Sequence, residues 1–183
     1  MNSLKGCFLI ASPHLPDPNF FRSVVLIVEH NEEGAMGVIL NRASNTMLDE
    51  FWSEVSESAC ESDDPLYVGG PVEGPLMAVH DDSDLEGIEV MKSVFFTSDR
   101  DSLESLVCSH RNFRIFTGYA GWGPGQLDRE IEQGAWLVLQ SSADQVFDPQ
   151  PEGLWRRLFD GAQMRFARAA PKAKISPALA AFE

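Results

Sequence analysis

The chain is predicted to adopt an α+β fold, and three observations point there. Short β-branched apolar runs recur along its length, bounded by Gly, Pro and Asn. Two of them, residues 24–28 and 35–40, are joined by a short loop ending in Gly34, the pattern of a hairpin. Amphipathic helical stretches are scattered singly between such runs. The regular strand–helix alternation of a doubly wound sheet is missing.

Each element has its own justification. Residues 6–11 read as a short buried strand. Pro13, Pro16 and Pro18 then make a loop, because proline removes donors and bars helix. The run Val24-Val25-Leu26-Ile27-Val28 reads as a central strand, apolar on both faces. Gly34 supplies a positive φ to the hairpin that follows. Residues 46–58 are expected to be helical, with Met47, Phe51, Trp52 and Val55 on one face and Glu50, Glu54 and Glu57 in water. Strands are expected at 66–68 and 75–79, around Gly69-Gly70-Pro71-Val72-Glu73-Gly74, and at 90–96. A second helix opens at Ser98-Asp99-Arg100 with capping residues first and Leu103, Leu106 and Val107 inward. Residues 113–117 and 135–139 are expected to be strands, with a helix over 125–133 started by Pro124. Residues 148–159 form the last expected helix.

Composition narrows the function classes. At 183 residues, 44% apolar and 23% charged, the chain suits one globular domain over residues 1–160 with a basic, alanine-rich tail over 161–183. No apolar run approaches the ~20 residues of a membrane helix, and the N-terminus lacks a signal-peptide pattern, so a cytoplasmic location is expected. Residues 154–183 hold six basic and two acidic side chains, a net +4, which leaves −18 elsewhere in a chain of net charge −14. Such a body repels phosphate backbones and argues against nucleic-acid binding. Cys7, Cys60 and Cys108 match neither a disulfide framework nor a zinc site, and Cys7 reads as a small buried apolar residue.

Four segments jointly match a known pattern. They are residues 6–11 running into Pro13 and Asp17-Pro18-Asn19-Phe20; Arg22-Ser23-Val24-Val25 through Glu29-His30 to Gly34-Ala35-Met36-Gly37 and Asn41-Arg42; Gly69-Gly70-Pro71-Val72; and Gly118-Tyr119-Ala120-Gly121-Trp122-Gly123-Pro124-Gly125-Gln126-Leu127. Over about residues 4–160 the chain resembles the YqgE/AlgH family of small bacterial proteins. The resemblance implies an α+β fold whose mixed or antiparallel sheet curls into a small barrel flanked by helices, and a cytosolic protein. Some members are labelled transcriptional regulators, yet no helix-turn-helix with a basic recognition helix is present here. It supplies no catalytic residue to carry over.

The residues themselves leave a binding surface as the leading functional reading. Its candidates are Arg22, Ser23, Asn41 and Arg42 beside the apolar strands, and Tyr119, Trp122 and Gln126 in the glycine-rich loop. The loop is read mainly as a strand-to-helix corner, because it lacks the Lys and Ser/Thr of a phosphate loop and Asp128, Glu130 and Glu132 follow it. Ser23 and His30 are seven residues apart on one strand, too far for a nucleophile–base pair. No Gly-x-Ser-x-Gly elbow, metal-ligating histidine spacing or cofactor motif is found, so no catalytic residue, metal or cofactor is assigned. The alternatives are an enzyme of unknown class, such as a hydrolase built around Arg22, Ser23 and Asn41, and DNA binding through the basic tail. The partner is expected to be a protein or small ligand.

Overall fold

The structure is a computed structural model that describes residues 3–60 and 62–169, with side chains through residue 165. Eleven strands and five α-helices appear among them: β1 (Cys7–Ala11), β2 (Val24–Asn31), β3 (Gly34–Ile39), β4 (Ala43–Met47), α1 (Leu48–Val55), β5 (Pro65–Val68), β6 (Met77–His80), β7 (Ile88–Met91), β8 (Val94–Thr97), α2 (Arg100–Val107), β9 (Phe113–Thr117), β10 (Ala120–Trp122), α3 (Gln126–Glu132), β11 (Trp136–Gln140), α4 (Ala143–Val146) and α5 (Leu154–Ala169).

The α+β expectation is met, but the strands form two sheets. One is antiparallel, in the order β10-β3-β2-β1-β11. The other is mixed, in the order β4-β5-β9-β6-β8-β7, with β5 and β9 parallel. No ladder closes either sheet into a barrel among the described residues.

Period-two alternation sorts the strand side chains into layers. Phe8, Ile10, Val24, Leu26 and Val38 of the first sheet meet Tyr67, Val79, Phe96 and Phe116 of the second, and α5 packs Leu154, Trp155 and Leu158 into the same core. On the other face of the first sheet, Leu9, Val25, Ile27 and Ile39 are covered by Leu127 of α3 and by the N-terminal loops. On the outer face of the second, Ala78 and Ile115 are covered by Leu48 and Trp52 of α1 and Leu103 and Leu106 of α2. The chain is thus layered helix, sheet, sheet, helix, which is why β2 is apolar on both faces. Arg114 of β9 is buried between the sheets. It donates to the carbonyls of Leu40 and Asp148 and stacks 5.0 Å over Tyr67.

Several boundaries differ from expectation for local reasons. The single strand expected over 90–96 is two strands, β7 and β8, turning at Ser93 with φ 61°. Asp17 caps a short 3-10 turn, Pro18–Phe20, inside the proline-rich loop. β4 is polar and β10 is three residues long, so neither shows a strand pattern in sequence. The last helix starts later than expected and runs on to Ala169, and residues 170–183 of the basic tail lie outside the described residues.

Candidate functional site

The signature segments converge through backbone contact. β10 pairs with β3, Ala120 opposite Gly37 and Trp122 opposite Ala35, while Val72 bridges Tyr119. A Cβ at Gly34 would stand 2.1 Å from the Trp122 carbonyl oxygen, and one at Gly69 would stand 2.3 Å from that of Gly118. Those glycines exist because main chains touch there.

The loop's polar groups are consumed internally. The indole N–H groups of Trp122 and Trp136 both donate to Oε2 of Glu130, at 2.9 and 2.8 Å. Gln126 donates to Oε1 at 2.8 Å and accepts from the Gly123 N–H at 3.1 Å. Trp122 lies 6.0 Å from the Phe20 ring and edge-on to Trp136 at 5.9 Å, and is only 6% exposed. Tyr119 is half-buried and packs against the central core. The sequence treats Glu130 as one of three helix carboxylates. Its place four residues after Gln126, on the same helical face, is the signal that marks its partner.

A second neighbourhood forms where the chain enters β2. Asp17 accepts from the Asn19 N–H at 2.8 Å. Arg42 donates to the Asn19 carbonyl, and burial pushes its guanidinium below the usual value, with Asp17 opposing. The Ser23 hydroxyl donates to the Phe20 carbonyl at 3.0 Å and is 1% exposed, so it serves the turn. Asn41 accepts from the Val24 N–H at 2.8 Å and donates to the Arg22 carbonyl at 2.9 Å, stapling β3's end to β2's start.

Arg22 itself is different. It is an exposed non-glycine residue held at φ 50°, a conformation that costs L-residues roughly 1–2 kcal/mol. Its guanidinium stacks 5.0 Å from the ring centre of Phe21 and 5.4 Å from that of Trp155. Phe21 is 55% exposed. Trp155 is anchored from the other side by its indole N–H, which donates to the Ala11 carbonyl at 2.9 Å. Among the described residues no carboxylate lies within 4.0 Å of Arg22, the limit for an ion pair. The guanidinium stands at the rim of a depression of about 400 Å³ lined also by Glu152, Trp155, Arg156 and Asp160. Arg156 and Asp160 pair with each other at 3.6 Å.

Of the seven candidate residues, Arg22, Ser23, Asn41 and Arg42 therefore share one corner, and Tyr119, Trp122 and Gln126 share another. Phe20 connects the two, stacking on Trp122 while its carbonyl holds Ser23. Arg22 and Gln126 are the exposed members. Phe21 and Trp155 were not among the candidates. An aromatic beside an arginine in a turn is the only sequence signal for the first, and Trp155 reads as an ordinary core residue.

Other titratable groups have structural roles. His30 accepts from the Leu4 N–H at 3.1 Å through Nδ1 and faces Asp128 at 3.9 Å, tying down the N-terminal segment. Asp81 accepts from Asn112 and Asp82 pairs with Arg111 at 3.5 Å, so this acidic turn braces a loop. His80 is 0% exposed, stacks on Phe95 and has no well-formed hydrogen bond at either ring nitrogen among the described residues. Burial pushes its pKa below the ordinary value, with Asp82 and Asp81 opposing. Burial also raises the thiol of Cys7, which is 7% exposed.

Residues 8–167 match the family model described as AlgH-like. The chain is 39% identical to a UPF0301 protein of Thermobifida fusca over 92% of its length and 93% of that protein's. It is 40% identical to a UPF0301 protein of Chlorobaculum tepidum, over 83% of each chain. The solution structure of the AlgH protein from Pseudomonas aeruginosa is similar at a TM-score of 0.72 and 31% identity, covering 94% of this chain and 96% of that one. A crystal structure of a Corynebacterium diphtheriae protein shares the fold at a TM-score of 0.71 and 24% identity.

Proposed function

The chain belongs to the AlgH-like family, and we propose that it is a non-enzymatic binding module that recognises an acidic segment of a protein partner at the Arg22 corner. The observation that carries this reading is Arg22 itself. Arg22 keeps an unfavourable backbone conformation, and its guanidinium lies over the rings of both Phe21 and Trp155. Strain of this kind persists where the surroundings impose it, and it concentrates at binding sites. A stacked guanidinium keeps its in-plane N–H edge free for a carboxylate, and the planar fork suits two-pronged contact.

The charges lining the depression balance, Arg22 and Arg156 against Glu152 and Asp160, and Arg156 pairs with Asp160, so Arg22 itself is the group that draws an anionic ligand here. The depression lies at the start of α5, where the basic final stretch of the chain begins, and exposed charges beyond ~10 Å are largely screened at physiological salt. A regulatory role in the cytosol fits such a module. No helix among the described residues is long and apolar enough to cross a membrane.

The competing readings have less behind them. A hydrolase centred on Ser23 needs a free hydroxyl, whereas this one is buried and donates into its own turn. A nucleic acid, unlike a short acidic segment, would run its phosphates beyond the Arg22 corner and along the −18 body.

The test is a titration of the ¹⁵N-labelled protein with hexaglutamate and, separately, hexalysine. Saturable shifts at Arg22 and the Trp155 indole with hexaglutamate alone, lost in Arg22→Ala, are expected. Equal response of wild type and variant, or no shift at millimolar peptide, overturns the reading.

A further inference from the structure

A depression of about 500 Å³ lies elsewhere, between the end of α2 and the segment that leaves α1. Ala59, Asp64, Cys108, His110 and Arg111 line it. Cys108 follows the last residue of α2 and is exposed, and its thiol donates to the Ala59 carbonyl at 3.2 Å. That carbonyl is joined through one peptide unit to Cys60, so the Cys108 sulfur lies within roughly 6 Å of the Cys60 Cα by standard peptide dimensions. Residues 59, 60, 62 and 63 are neither helix nor strand, and the bonds that anchor this segment lie at Ser56, Ser58 and Asp64, to either side of Cys60. The Cα atoms of the two cysteines then lie within roughly 9 Å of each other, and disulfides need about 4.4–6.8 Å, so closing the bond takes a shift of at most a few ångströms.

We infer that Cys60 and Cys108 form a reversible intramolecular disulfide that ties the segment after α1 to the end of α2 across this depression. The two sulfurs have unequal roles. Cys108 is exposed on the lining of the depression, so it meets a dissolved oxidant first. Cys60 is half-buried, and burial raises its pKa, with a backbone hydrogen bond from Ser62 opposing and the charges of Asp49 and Asp64 adding to the rise. Cys108 therefore attacks first. With a low-molecular-weight disulfide as oxidant, the Cys108 thiolate forms an S–S bond to one of its sulfurs and expels the other as a thiolate, which takes up a proton. The Cys60 thiol then loses its proton and attacks the Cys108 sulfur. The second small thiolate leaves and is protonated in turn. Two protein thiols are oxidised and one small disulfide is reduced to two thiols. The dithiol would respond to the redox poise of its compartment, as transient intracellular disulfides do.

The experiment treats the full-length native protein with oxidised glutathione, quenches by alkylation and maps peptides without reduction. The expected product has lost two hydrogens, carries a Cys60–Cys108 cross-link, leaves Cys7 alkylatable only after unfolding, and reverts with dithiothreitol. Cys60→Ser should retain glutathione on Cys108, whereas Cys108→Ser should take up several-fold less. A stable glutathione adduct on Cys108 of the wild type with Cys60 still free overturns the inference. So does a cross-link between chains, or recovery of three free thiols at large glutathione excess.

Discussion

The loop over residues 118–127 and the corner over residues 17–24 are both turns that meet the first sheet, and they handle their polar groups in opposite ways. In the loop every notable side chain points home. Two indoles and a glutamine amide converge on Glu130, and Gly118 sits where main chains touch, a Cβ there standing 2.7 Å from the Gly70 carbonyl oxygen. In the corner, Ser23 and Asn41 close the backbone, yet Arg22 is left outside, in a costly conformation with its guanidinium over two aromatic rings. A dense sequence signature can thus be wholly architectural. The more telling sign of function is a residue that does something the fold does not need.

The sharpest way to break this contrast is Trp122→Ala. If the loop is architecture, emptying that site should cost about 3–5 kcal/mol in urea unfolding, as for other large-to-small core changes. A loss below ~1 kcal/mol would mean that the loop is a surface after all. Glu130→Ala is next. It strands two buried indole donors at about 1–3 kcal/mol each before relaxation, so a loss of about 3 kcal/mol is expected, with Glu130→Gln recovering part of it. Arg22→Gly should behave in the other way. It removes the left-handed strain along with the ring stacking, so stability should move by no more than about 1 kcal/mol while hexaglutamate binding disappears.

The smallest effect concerns pH. His80 is buried in its neutral form, and its folded pKa is depressed below the ordinary 6.5. The unfolded chain therefore binds the proton more readily. Stability from this group is complete above pH ~6.5 and declines as the pH falls from there toward the folded pKa. Urea midpoints measured from pH 7.5 downward should drop for the wild type and drop less for His80→Phe. Parallel curves would remove His80 from the account.

Much of this architecture is legible because burial writes a period-two pattern. The run from Val24 to Val28 reads as doubly buried, and it is, because α3 and the N-terminal loops cover one face and the second sheet with α5 covers the other. The hairpin at Gly34 and the cap at Asp99 are equally local, and both appear as expected. What escapes is set by distant partners. β4 and β10 are strands only because β5 and β3 lie beside them. Two sheets in place of one curled sheet is likewise a matter of pairing, which no local pattern records. At the candidate site, Arg22 can be picked out as a polar residue beside an apolar strand. Its aromatic bracket cannot, since Trp155 is more than a hundred residues away and reads as core. Glu130 is hidden for the opposite reason, since a carboxylate on a short acidic helix has an ordinary explanation.

Arg114 carries a consequence for how the molecule comes apart. It stands on the second sheet, donates to a carbonyl just beyond the end of β3 in the first, and reaches the segment that leads into α5 through Asp148, whose carboxylate also holds Arg157. Parting the sheets would leave a guanidinium in an apolar gap, stripped of the carbonyls that solvate it, until water could follow. Intermediates with one sheet loosened are therefore penalised. The two sheets should melt as a single cooperative unit, with tryptophan fluorescence and far-ultraviolet dichroism following the same transition.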